Sequence, residues 1–211
     1  MKLGIDIISD VICPWCFIGK RRFEKALSLL PAEADIVVNW RPFELNPDMP
    51  LEGIDRKLYR TRKFGSWERS QALDAQLVEA GAGEGIRFAF DRMERTPNTF
   101  EAHRLIWLAG EQGVQEAVVE SLFRAYFEKA LDVGNREVLG SVAGSAGMDT
   151  RDFLKSERGR QEVLAEESWA RRQGVQGVPF FLINHSAVIS GAQSPEQIAA
   201  TLNANVTLGA Q

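Results

Sequence analysis

Cys13-Pro14-Trp15-Cys16 decides how this chain is read. It holds both cysteines of a 211-residue sequence. It follows directly on an alternating apolar run (Leu3, Ile5, Ile7) and precedes a helix-like run that reaches Leu30. A C-x-x-C pair between a strand and a helix has the pattern of a redox dithiol. The i, i+3 spacing at a helix start puts both sulfurs on one face, within bonding reach of each other. Pro14 falls at the first helical position, where its fixed φ and missing N–H cost nothing. Cys13 takes the cap, facing unpaired N–H groups and the positive end of the helix dipole, and a thiolate is favoured there. Two other readings use the same cysteines. Half of a zinc site needs further ligands, and His103 and His185 are neither paired nor closely spaced, so no metal is expected. A buried, inert pair is the remaining reading.

Residues 2–8 read as a strand buried on at least one face, and Phe17, Phe23, Ala26, Leu27 and Leu30 recur at helical spacing. Lys20, Arg21 and Arg22 are expected on a solvated face of that helix. Ile36, Val38 and Trp40 alternate again up to Pro42. Strand, helix, strand implies a parallel pair in a right-handed unit. The segment from Phe43 to about Gly65 reads as irregular. Helical patterns follow at 67–80, from Asn98 onward, at 114–131, at 136–147 and at 158–174, with Ile86, Phe88 and Phe90 as a short extended run among them. Asn98-Thr99-Phe100-Glu101 has the form of a capping box, with Asn98 as the cap. After Gly174 the chain turns β-rich: residues 175–183 are a glycine-punctuated entry into a β run, and 187–189 make a second short strand joined to it through Asn184-His185-Ser186, an antiparallel hairpin. Ser194-Pro195-Glu196-Gln197 opens the last helix. The expected fold is α/β: a βαβ unit with its following loop (1–60), an all-helical insertion (61–172) and a closing ββα unit (173–211).

Composition narrows the function. The net charge is −4 and the pI is near 5.4, so no basic surface argues for nucleic acid or for acidic membranes. No run approaches a membrane-spanning length. The first residues lack the apolar core and cleavage site of a signal peptide. The expected location is the cytoplasm, where thiols are held reduced and a dithiol is catalytic or redox-sensing more often than structural.

Three stretches carry a resemblance to a known family: Ser9-Asp10-Val11-Ile12 leading into the dithiol, Arg95-Thr96-Pro97-Asn98-Thr99 with Ala102-His103-Arg104, and Gly174-Val175-Gln176-Gly177-Val178-Pro179-Phe180-Phe181, completed by Gly191-Ala192-Gln193. Together they span most of the chain. It resembles the DsbA family of thioredoxin-fold thiol–disulfide oxidoreductases and, within it, the cytoplasmic FrnE-like branch. The resemblance implies that Cys13 is the attacking sulfur and Cys16 the resolving one. It also implies that Val178-Pro179 is a cis peptide facing the dithiol, leaving the Val178 backbone to pair with a bound peptide or thiol; a trans proline opening a strand is the alternative. Where the periplasmic DsbA itself has Pro-His between its cysteines, this chain has Pro14-Trp15. An indole donates one neutral N–H, so the disulfide is expected to be less oxidising.

His103 has two readings: a satisfied core histidine, or an imidazole from the helical domain capping the dithiol. Asp10, three residues before Cys13, either sits close to the thiol or caps the loop. The expected partners are protein thiols and disulfides or glutathione, with no cofactor besides the cysteine pair; a homodimer is left open. Two further functions compete with redox exchange. The related 2-hydroxychromene-2-carboxylate isomerases share the split architecture and use glutathione, but have a serine in place of the first cysteine. A redox-sensing or chaperone-like binding module is the third.

Overall fold

In a computed structural model, residues 2–31 and 34–208 are described. The first strand, β1 (Lys2–Ser9), is buried on both faces because it lies inside the sheet, whose order is β2-β1-β5-β6. β2 (Asp35–Pro42) runs parallel to it, with Ile5 opposite Val38 and Ile7 opposite Trp40. β5 (Phe180–Ile183) runs antiparallel on its other side, with Ile7 opposite Phe181. The hairpin to β6 (Ala187–Ser190) closes the sheet. α1 (Pro14–Leu27) is the crossover from β1 to β2, and α8 (Pro195–Leu208) packs beside it. The α8 capping box forms as the sequence suggests: the Ser194 hydroxyl and Gln197 side chain each accept the other's backbone N–H at 3.3 Å.

Between β2 and β5 lie a two-stranded ribbon, β3 (Ile54–Asp55) with β4 (Arg95–Thr96), and six helices: α2 (Arg56–Phe64), α3 (Trp67–Ala82), α4 (Phe100–Glu111), α5 (Gln115–Phe123), α6 (Arg136–Ser145) and α7 (Arg160–Arg172). α5 continues into a π-helical turn, Arg124–Glu128. The main core is shared between sheet and helices. Phe17 of α1 stacks on Phe123 with ring centres 5.2 Å apart and on Phe127 at 6.0 Å. The other face of the sheet is covered by α7, where Ala170, with Val175 just beyond the helix, packs with Ile8, Phe43 and Leu182.

Four local expectations need correction. The stretch read as irregular contains α2, capped by Asp55, whose carboxylate accepts the Leu58 N–H at 2.7 Å, and ended by Gly65 at φ 90°. Its apolar residues are too few to give a helical stripe, so periodicity passed over it. Ile86 to Phe90 pair with no strand; these side chains fill the aromatic core as a loop. The cap of α4 is Thr99, not Asn98: Asn98 accepts the Phe100 N–H and donates to Met49 O, while Glu101 pairs with Arg104. Lys20 is 2% exposed rather than solvated. Its ammonium meets Glu24 of its own helix and, across the interface, Glu116 at 2.6 Å and Glu120 at 3.0 Å. Arg21 pairs with Glu24 and Glu120, and Arg22 with Glu84.

Candidate active site

Cys13 is the N-cap of α1 and Pro14 opens the helix. The cap residue is extended, its N–H bonds to Asp10 O at 3.0 Å, and its own carbonyl receives the Cys16 N–H at 3.0 Å. This is a tight turn that leads out of the central strand straight into a helix, and it holds both sulfurs at the helix mouth as free thiols. The two are not equivalent. Cys13 is 5% exposed and Cys16 1%. Burial pushes the Cys16 thiol well above its ordinary value, and the neighbouring Cys13 adds to that shift. Trp15, between them, is 43% exposed and stands out at the surface.

The second half of the site comes from the loop before β5. The Val178-Pro179 peptide is cis, and the Cys13 thiol donates to Val178 O at 3.5 Å. Val178 therefore meets Cys13 through its carbonyl in the reduced protein. Pro179 is seated against Gly19 of α1: a Cβ on Gly19 would lie 2.9 Å from Pro179 Cγ. The close approach of helix and proline loop depends on that glycine. The Gly191-Ala192-Gln193 turn lies on the same side of Gly19, and Arg22 donates to Ala192 O at 2.7 Å.

His103 does not join the sulfurs. It is buried beneath the turn, with Nε2 3.5 Å from Asp10 Oδ1. Nε2 is buried and has no hydrogen-bond partner. Asp10 caps the loop: its carboxylate accepts Leu45 N–H at 2.8 Å and Ile12 N–H at 3.4 Å. Two further acids surround the imidazole. Glu44 follows β2, and its backbone N–H donates to the Glu167 carboxylate of α7 at 2.8 Å. Burial alone would pull His103 down, but Asp10 first, then Glu44 and Glu167, outweigh it and raise it above its ordinary value. Glu44 is pushed up to about 7, by burial first and then by Glu167. Sequence reading found Asp10 and His103 but not the two glutamates, which reach the cluster from separate elements and carry no motif. His185 stands apart, exposed beside Asp6. Among the described residues no group of three or more His, Cys, Asp or Glu side chains is arranged to hold a metal ion.

Similarity to known proteins agrees with this geometry. A family model for the DSBA-like thioredoxin domain matches residues 4–203. A probable DsbA oxidoreductase from Streptomyces coelicolor is 34% identical, with a TM-score of 0.88 over 97% of this chain and 90% of that one. A 2-hydroxychromene-2-carboxylate isomerase shares the fold at 13% identity, with a TM-score of 0.74 over 98% of each chain. The cytosolic disulfide reductase DsbM from Pseudomonas aeruginosa, solved with glutathione, shares it at 15% identity, with a TM-score of 0.68 over 97% of this chain and 99% of that one. A dithiol at the mouth of the first helix, a proline loop against it and a matching family model across nearly the whole chain place this protein in the DSBA-like thioredoxin-domain family.

Proposed function

We propose that the protein is a thiol–disulfide oxidoreductase of the FrnE-like, cytoplasmic kind, exchanging the Cys13–Cys16 pair with protein or small-thiol partners. The observation that carries this reading is the asymmetry of the two sulfurs. Cys13 caps the helix and touches the proline loop, whereas Cys16 is buried behind it with its thiol held protonated. Cys13, as thiolate, attacks a partner disulfide; one S–S bond forms, another breaks, and half of the partner leaves as a thiolate. Cys16 then gives up its proton and attacks the Cys13 sulfur, which releases the second half and leaves a Cys13–Cys16 disulfide. Oxidation of a partner dithiol runs the same steps backwards.

Glutathione is the small thiol we assign as co-substrate, supported by the fold shared with a reductase solved with it. The neutral indole of Trp15 offers no imidazolium to stabilise a thiolate, so the reduction potential is expected to be more negative than the roughly −120 mV typical of DsbA; redox titration against glutathione measures it. The deciding experiment is insulin-disulfide reduction combined with trapping. Cys13→Ser should abolish turnover, and Cys16→Ala should accumulate a mixed disulfide visible as an added glutathione mass. A Cys13→Ser variant as active as the parent would overturn the reading. Glutathione-stimulated isomerisation of an aromatic substrate with no thiol exchange would select the isomerase instead.

A further inference from the structure

A cavity of about 290 Å³ opens beside the active-site turn. One wall is Pro14 and Trp15, the residues directly after Cys13. The floor is aromatic and apolar, built from Phe90, Met93, Tyr126 and Phe127. The π-helical turn at Arg124–Glu128 brings the last two of these there together. Such turns inside helices recur at functional sites. The third wall is α2, the helix that sequence periodicity passed over.

The charge on that wall is unbalanced. Arg56 and Arg60 both line the cavity and share a single carboxylate, Asp74, at 2.7 and 2.6 Å. Lys63, also on the wall, donates to the Tyr59 hydroxyl at 2.8 Å and, among the described residues, meets no carboxylate. Three cations thus face one anion. Burial pulls Arg60 below its ordinary value, and Asp74 does not restore it against Arg56. Beside them Asn46 accepts the Tyr59 hydroxyl at 2.5 Å through Oδ1, while its Nδ2 is buried with no acceptor. A buried donor without a partner is uncommon and calls for an explanation.

We propose that this cavity is the subsite for a small disulfide with a flat apolar body and a carboxylate. The carboxylate would sit against Lys63 and the Asn46 amide, and the body over Phe90 and Phe127, with its sulfur directed to Cys13. The proposal rests on the redox reading above and names the substrate class of the same site. Reduced protein and the bound disulfide exchange two electrons: Cys13 forms a mixed disulfide and expels one arene thiolate. Cys16 loses its proton to solvent and displaces the second, leaving the Cys13–Cys16 disulfide and two thiols.

The test uses reduced full-length protein in single turnover with two aromatic disulfides. One is the dianion 5,5′-dithiobis(2-nitrobenzoate); the other is neutral 4,4′-dithiodipyridine. Losing one charge-assisted hydrogen bond should lower the rate with the dianion about tenfold in Lys63→Gln, while the neutral probe stays within about twofold. Lys57→Gln removes the same charge from the same helix, at a residue outside the cavity, and should leave both rates near the parent's. Equal loss with both probes, no loss in Lys63→Gln, or an equal loss with the dianion in Lys57→Gln each overturns the subsite and leaves the redox reading intact. Failure of both probes to oxidise the parent protein would overturn the redox reading itself.

Discussion

The surroundings of Glu44 oppose its charge. Glu167 and Asp10 push its carboxyl up, His103 and Arg171 pull it down, and burial leads the sum. A carboxyl whose folded value lies above its unfolded one favours the folded state at low pH, and that advantage disappears as the pH rises through the folded value. For Glu44 the loss falls between about 4.5 and about 7. His103, also raised, contributes in the same direction, fully below its ordinary value and less as the pH rises through its folded one. Glu44→Gln should therefore be more stable than the parent at pH 8, by about 3 kcal/mol, with the difference vanishing near pH 4. Urea denaturation at the two pH values measures it; a variant less stable at pH 8 would contradict this account. Gly19 sets a second expectation at this scale. The methyl of Gly19→Ala would press on a proline ring that cannot fold aside, at a cost of about 1–2 kcal/mol. It would also shift Pro179 away from Cys13, slowing disulfide exchange as well as lowering the melting temperature.

At the scale of elements, α1 carries the chemistry on its first turn and its anchorage one turn later. Burial alone would pull the Lys20 ammonium down, but Glu116, Glu24 and Glu120 outweigh it and hold it above its ordinary value. Two of those glutamates belong to α5, so this lysine ties the dithiol helix to the helical block. Lys20→Ala should lose about 2 kcal/mol, less than a fully buried pair would because the glutamates keep partial access to water. Added salt should restore little of it, since a buried cation is weakly screened; chemical denaturation at low and high salt checks both statements. The helices themselves were readable to different degrees. α1, α3 and α8 show their apolar spacing openly. α2 shows only its ends, Asp55 and Gly65, and a reading that weighed caps as heavily as stripes would have found it.

Across the whole molecule, sheet and helical block share one core: Phe17, Phe123 and Phe127 lie in a single stack that joins them. Unfolding is expected to be one cooperative transition, with tryptophan fluorescence and far-ultraviolet dichroism coincident in urea. Two separated transitions would show that the helical block folds by itself. The dithiol, the strand before it, the helix after it and the closing ββα unit are legible in the amino-acid order, because each is written in spacings of two to four residues. The surroundings of the sulfurs come from the packing of distant segments. Asp10 meets His103, Lys20 meets Glu116, and Asn46 meets Tyr59 beside the cavity. Such pairs form where separate elements pack, and burial is what turns an ordinary glutamate or lysine into a perturbed one. No local period encodes either the packing or the loss of water that follows from it.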